Sequence, residues 1–161
     1  MFVVNEITKT DDIEQLVTEI NQSAWDDANE MSHYDVESLS AYLNRQDTIF
    51  LACHDTESTP PTLLGLASSR LEIKPYGKEL WLYVDEVDVC ADQRRKGVGT
   101  MLMAKFMEIA KEKGCEEIWL GAEAENAAAD ALYRSLKPNH IADVIGYTYA
   151  VEKKGDGGIN F

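Results

Sequence analysis

The passage that most constrains this chain is Val87-Asp88-Val89-Cys90-Ala91-Asp92-Gln93-Arg94-Arg95-Lys96-Gly97-Val98-Gly99-Thr100, a β-type run that turns through a basic, glycine-bearing loop into an amphipathic helix. Val98, Leu102, Phe106 and Ile109 recur at spacings of four, four and three, which predicts one buried helical stripe from about Gly97 to Glu112, with Gly114 closing it in the left-handed conformation. Glycines at 97 and 99 let the backbone approach a bulky anion while the unpaired N–H groups of the first helical turn point at it. The passage therefore reads as a phosphate cradle, with Arg94, Arg95 and Lys96 supplying positive charge. The plain alternative is a helix start behind a solvated basic turn. Two other glycine-loop chemistries fail on spacing: a Walker loop needs Lys-Ser/Thr after the second glycine, and a dinucleotide fingerprint needs a third glycine where Leu102 stands.

Around this passage the chain alternates strand and helix patterns. Strands are predicted at Phe2–Ile7, Thr48–Cys53, Leu63–Ile73, Leu80–Cys90, Glu117–Leu120 and Ile145–Val151, the second and third joined by a turn carrying Pro60 and Pro61. Helices are predicted from about Asp11 to Ser23, Val36 to Leu43, and Asn126 to Leu136, the last burying Ala128, Ala131, Leu132 and Leu136. The strand-helix-strand-helix-strand second half requires an α/β architecture. At 161 residues, one domain spanning 1–161 is expected, with a flexible tail over 153–161.

Composition removes several function classes. A formal net charge of −14 repels nucleic-acid phosphates and anionic lipid headgroups, so neither is an expected partner. No apolar run reaches the roughly 18 residues of a membrane span, and the N-terminus lacks the pattern of a secretory signal, which makes a cytoplasmic protein the default. The three cysteines, Cys53, Cys90 and Cys115, are widely spaced, and His33, His54 and His140 are isolated; no metal site is expected. Acidity concentrates between Asn5 and Asp47, where eleven acids face two bases, Lys9 and Arg45.

Arg94-x-x-Gly97-x-Gly99, between a strand and a helix, resembles the Arg/Gln-x-x-Gly-x-Gly/Ala loop of the GNAT superfamily of acetyl-CoA-dependent N-acetyltransferases. Further on, Asn126-x-x-Ala129-x-x-x-Tyr133 resembles the family's second motif. The resemblance is clear from about Trp81 to Leu136. It implies a mixed, mostly antiparallel central sheet with a splayed parallel strand pair, flanked by helices on both faces. It also implies acetyl-CoA as co-substrate: diphosphate on the backbone of Arg95, Lys96, Gly97, Val98, Gly99 and Thr100, pantetheine arm along Val87, Asp88 and Val89, and Asn126 bonding the arm from the other side. Where the family commonly has Leu-Gly-Phe after the tyrosine helix, this chain has Leu136-Lys137-Pro138.

The chemistry accounts for such residues. An alkyl amine of pKa about 10.4 must lose a proton before attacking a thioester, costing on the order of 4–5 kcal/mol at pH 7, and a carboxylate can take that proton directly or through water. By resemblance Glu86 is the first choice as base, with Asp85 and Asp88 as alternates, since a β-bulge changes which face each residue takes. Tyr133, a phenol protonated at pH 7, can donate to the leaving thiolate. Cys90 and Cys115 read as buried small hydrophobes rather than nucleophiles.

In this family the segment between the first two helices walls the acceptor pocket, and here Trp25 to Glu37 is acidic, so a small cationic amine is the expected acceptor. Ala131-Leu132-Tyr133 and Glu86-Val87-Asp88-Val89 resemble the aminoglycoside 3-N-acetyltransferase branch, which suggests an aminoglycoside- or polyamine-like molecule attacked through a ternary complex. Peptide amines are the alternative acceptor, and a non-catalytic acyl-CoA-binding module is the alternative of another class. Relatives commonly pair through terminal strands, which makes a homodimer an open expectation.

Overall fold

A computed structural model describes residues 1–153, so the expected flexible tail lies almost wholly outside the described residues. Five strands form one sheet in the order β1-β2-β3-β4-β5: β1 Phe2–Ile7, β2 Thr48–Asp55, β3 Thr62–Ile73, β4 Leu80–Val89 and β5 Glu117–Leu120. The first four are antiparallel neighbours; β4 and β5 run parallel. The parallel pair needs a crossover, and the helix α3, Val98–Glu112, supplies it.

Central strands are covered on both faces, which is why β2 reads as an unbroken apolar run rather than an alternation. Ile49, Leu51 and Cys53 face α3, whose Val98, Leu102, Phe106 and Ile109 are all buried as their spacing predicts. Phe50 and Ala52 face α1 (Ile13–Gln22) and α2 (Val36–Asn44), against Leu16, Val17, Ile20 and Leu39. Gly114 closes α3 at φ 73°. Asp12 and Asp35 cap α1 and α2 by accepting from the N–H groups of Gln15 and Ser38, so part of the acidity of the first third is local structure.

Two expectations need correction. The helix α4, Ala127–Ser135, turns Ala129, Leu132, Tyr133 and Leu136 inward and leaves Ala128 and Ala131 exposed. The inward stripe rides on Tyr133 and Leu136, which pack on the α3 side of the sheet and set the helix rotation. Ile145–Val151 is not a strand: Ile145, Tyr147, Tyr149 and Val151 are 76–87% exposed, because an alternating segment forms a strand only against a partner backbone and meets none within the described residues. Lys137 takes φ 56°, the left-handed position just past α4 where glycine is ordinarily used, and Pro138 then stops the helix. Of the cysteines, Cys53 and Cys90 are buried with thiols pushed up to about 11 by burial, whereas Cys115 is only half-buried.

Candidate active site

A one-residue slip in the sheet decides which carboxylate reaches open space. Along β4, Leu82 and Val84 point into the core beneath α3. Ser69 then pairs with Val84 but Ser68 with Glu86, leaving Asp85 as an extra residue. The bulge reverses the alternation: Val87 and Val89 return to the α3 side, while Glu86 lines a cleft on the α1/α2 side. Without it, Glu86 would follow Val84 into the core.

The three neighbouring carboxylates have different surroundings. Asp85 lies 3.7 Å from the Arg70 guanidinium. Asp88 is 7% exposed and accepts a 3.0 Å bond from Nδ2 of Asn29. Glu86 has no hydrogen bond or ion pair among the described residues and faces the solvent of the cleft. Its carboxyl is nevertheless raised above the ordinary range, first because the cleft wall withdraws it from water and then because Asp88 and Asp85 repel a further negative charge.

The parallel pairing of β4 with β5 ends at Val84↔Leu120, so Asp85 to Val89 continue with no strand on that side among the described residues. After β4 the chain passes through a 3-10 turn, Ala91–Gln93, to Gly97, which holds φ 84° at the start of α3, and a Cβ built there would meet nothing described within 4 Å. Among the described residues no side chain caps α3, and its first internal bond is Met101 N–H to the Gly97 carbonyl at 3.0 Å, which leaves the N–H groups of the first turn available to an anion. Open main chain along the β4 end and free donors at a helix start are what a pantetheine arm and its diphosphate need, so these residues fit acetyl-CoA.

The individual residues divide. Arg95 and Lys96 are exposed; Val98 and Gly99 are buried, so only their main chain can serve a ligand. A Cβ on Gly99 would lie 2.7 Å from Cδ2 of Leu132, which ties this glycine to the packing of α4 on α3. The Arg94 guanidinium is held by Asp26, with Nη2 2.8 Å from its Oδ1, and by Oδ1 of Asn29 at 3.0 Å. Asn126 caps α4, its Oδ1 accepting from Ala129 N–H at 3.0 Å, and its Nδ2 has no partner among the described residues. Tyr133 is half-buried on the sheet side of α4, and burial first, then the Asp88 charge, raises its phenol further above neutrality.

Of the Trp25–Glu37 segment, Met31 to Asp35 line the cleft containing Glu86, a space of about 360 Å³ that also takes in Tyr42 and Asp85. Tyr42 donates to the Ser69 carbonyl at 2.8 Å, and burial pushes its phenol up to about 12. The sequence reading missed Asn29. It ends a short 3-10 turn, Asp27–Asn29, capped by Asp26, and the Asp26-x-x-Asn29 spacing of a capping box was its only signal.

A mostly antiparallel sheet whose one parallel pair ends at Val84–Leu120, with a donor-rich helix start beyond it, is the arrangement that the GNAT resemblance implies. The sequence profile described as the Acetyltransferase (GNAT) family matches residues 11–137, and the chain belongs to that family. It is 27% identical over 66 residues to a thialysine N-epsilon-acetyltransferase of Bos taurus, covering 41% of this chain and 39% of that protein. It is 40% identical over 50 residues to the ribosomal protein bS18 alanine N-acetyltransferase of Salmonella typhimurium, covering 31% of this chain and 34% of that one. The matched region thus spans little more than a third of these curated relatives. The fold is similar to that of an aminoglycoside acetyltransferase from an uncultured soil metagenomic sample in complex with sisomicin, with TM-score 0.79 and 20% identity over 94% of this chain and 97% of that one. A ribosomal-protein-alanine N-acetyltransferase from Brucella melitensis biovar Abortus 2308 gives TM-score 0.69 and 16% identity over 94% of this chain and all of that one.

Proposed function

We propose that this protein transfers an acetyl group from acetyl-CoA to a primary amine of a small cationic molecule by direct attack. The observation that supports the reading is the bulge at Asp85, which turns Glu86, without a hydrogen bond or ion pair among the described residues, toward the cleft lined by Met31 to Asp35. Bound acetyl-CoA supplies an activated thioester carbonyl. Glu86 takes the proton from the amine, Tyr133 donates to the departing sulfur, and the main chain of Val87 to Val89 and of the first turn of α3 holds the arm and diphosphate. Asp85 and Asp88, already engaged by Arg70 and Asn29, are poorer bases.

Asp35, Asp85 and Glu86 on one cleft favour a cationic acceptor. The resemblance at Glu86–Val89 and Ala131–Tyr133 supports an aminoglycoside- or polyamine-like molecule. Similarity to the bS18 alanine N-acetyltransferase supports the alternative, a peptide amine. An amine panel with acetyl-CoA, reading free thiol, separates them: turnover of polyamines or aminoglycosides but not peptides is expected, and Tyr133→Phe lowers kcat on the order of 10²-fold. Acetyl-CoA binding without thiol release on any amine would make the chain a binding module instead.

The proposal extends to assembly and location. The strand-patterned, exposed Ile145–Val151 stretch supports a homodimer in which each copy pairs this segment with the other. Sedimentation should give a dimer for the parent and a monomer for Tyr147→Asp/Tyr149→Asp; a monomeric parent would remove the assembly. Three free thiols support a cytoplasmic setting.

A further inference from the structure

The wall of the acceptor cleft is fastened directly to the loop that leads into α3. Between α1 and α2 the chain runs from Ser23 to Asp35, and Met31 to Tyr34 face Glu86 across the cleft. Both ends of that stretch are anchored. On one side, Asn21 Nδ2 donates to the Tyr34 carbonyl at 2.8 Å and Tyr34 N–H donates to Asn21 Oδ1 at 2.9 Å, tying the stretch back to α1. On the other, the Asp27–Asn29 turn ends in Glu30 at φ 48°, and the side chains of its cap Asp26 and of Asn29 reach across to β4 and the loop after it.

Asn29 is the hub of this second anchor. Its Oδ1 accepts from Arg94 at 3.0 Å and from Asp26 N–H at 3.1 Å, while its Nδ2 donates to Asp88 Oδ1 at 3.0 Å and to the Val89 carbonyl at 3.3 Å. Asp26 takes both Nη atoms of Arg94. Ala91 N–H donates to the Ala24 carbonyl at 2.7 Å, a main-chain stitch between the same two segments. An amide is needed at 29, because only a group with both an acceptor and donors can bond a guanidinium on one edge and a carboxylate on the other. The bidentate Arg94–Asp26 contact fixes direction as well as distance.

We infer that Asn29 and Asp26 are positioning residues that hold the acceptor wall against the cofactor-side loop through Arg94 and Asp88, so that acceptor affinity depends on this clamp. The inference rests on the proposed acetyl transfer. The clamp touches Arg94 by its side chain and Val89 by its carbonyl, leaving the N–H groups at the start of α3 to the diphosphate. Loosening it therefore releases Met31 to Tyr34 without dismantling the diphosphate cradle.

The test uses the full chain as parent, Asn29→Ala, Asn29→Asp and Asp26→Asn. Amide hydrogen exchange without any ligand is the first readout: protection of the Glu30 and Tyr34 N–H groups, the hydrogen-bonded amides that flank Met31 to His33, should fall at least tenfold in all three variants while α3 stays protected. Asn29→Asp keeps an acceptor for Arg94 but sets a carboxylate against Asp88, so it should loosen the wall as Asn29→Ala does. The second readout is steady-state kinetics with spermidine as acceptor: acceptor KM should rise at least tenfold, with acetyl-CoA KM and kcat each changed less than threefold. Unaltered exchange at Glu30 and Tyr34, or loosened exchange with an unaltered acceptor KM, overturns the clamp. A parent that releases no thiol with any amine overturns the proposed activity instead, and the exchange readout still decides whether the anchor holds the wall.

Discussion

Glu86→Gln should lower kcat on the order of 10²–10⁴-fold at pH 7 while acetyl-CoA binds with unchanged affinity, the range expected when a positioned general base is removed. The parent's pH profile carries the same information. Because the Glu86 carboxyl lies above the usual range, kcat/KM should fall on acidification through a pKa higher than that of an exposed glutamate, and this limb should vanish in Glu86→Gln. The sign for stability runs the other way. A carboxylate whose folded pKa is raised binds its proton more tightly folded than unfolded, so it favours the fold at low pH and disfavours it once ionised. At neutral pH the glutamine variant should therefore melt no lower than the parent, which separates lost chemistry from lost folding. An unchanged rate would pass the base to Asp85 or Asp88 or to water.

Gly97→Val should weaken acetyl-CoA binding at least 100-fold, read by calorimetry. At φ 84° a β-branched residue costs more than the roughly 1–2 kcal/mol of any left-handed L-residue, and the branch projects into the open space the glycine leaves at the helix start. Gly97→Ala should fall between, since it keeps the backbone strain but adds one methyl group. The Cβ direction is free of protein, so the loss is expected mainly in binding and less in the packing of α3, whose buried stripe begins at Val98. Full affinity in Gly97→Val would mean that the diphosphate does not use this bare backbone.

Features with a strong local signal were legible in the sequence. The α3 stripe, the turn at Gly114 and the extents of β1 and β5 follow from periodicity and left-handed termini. The rotation of α4 was not legible, because an alanine-rich helix offers several equivalent stripes until Tyr133 and Leu136 find their neighbours. Nor was the place of the bulge: Val84, Glu86 and Asp88 share one parity, and only the pairing with Ser68 and Ser69 shows that Val84 parts from the other two. The acidic first third illustrates a different limit. The acidity of the segment that the resemblance makes the pocket wall pointed to a cationic acceptor, yet Asp12, Asp26 and Asp35 cap helices or turns, Asp47 pairs with Arg45, and Glu19 lies 3.1 Å from His54. Which acids face the cleft depends on tertiary placement, and of that segment only Asp35 joins Asp85 and Glu86 there.

The most direct test of the account is a crystal structure of the protein with coenzyme A. The diphosphate should lie within about 3 Å of the N–H groups of Val98, Gly99 and Thr100, with the pantetheine arm extending between the ends of β4 and β5 toward Glu86. Diphosphate density elsewhere on the protein, with that helix start left to solvent, would contradict it.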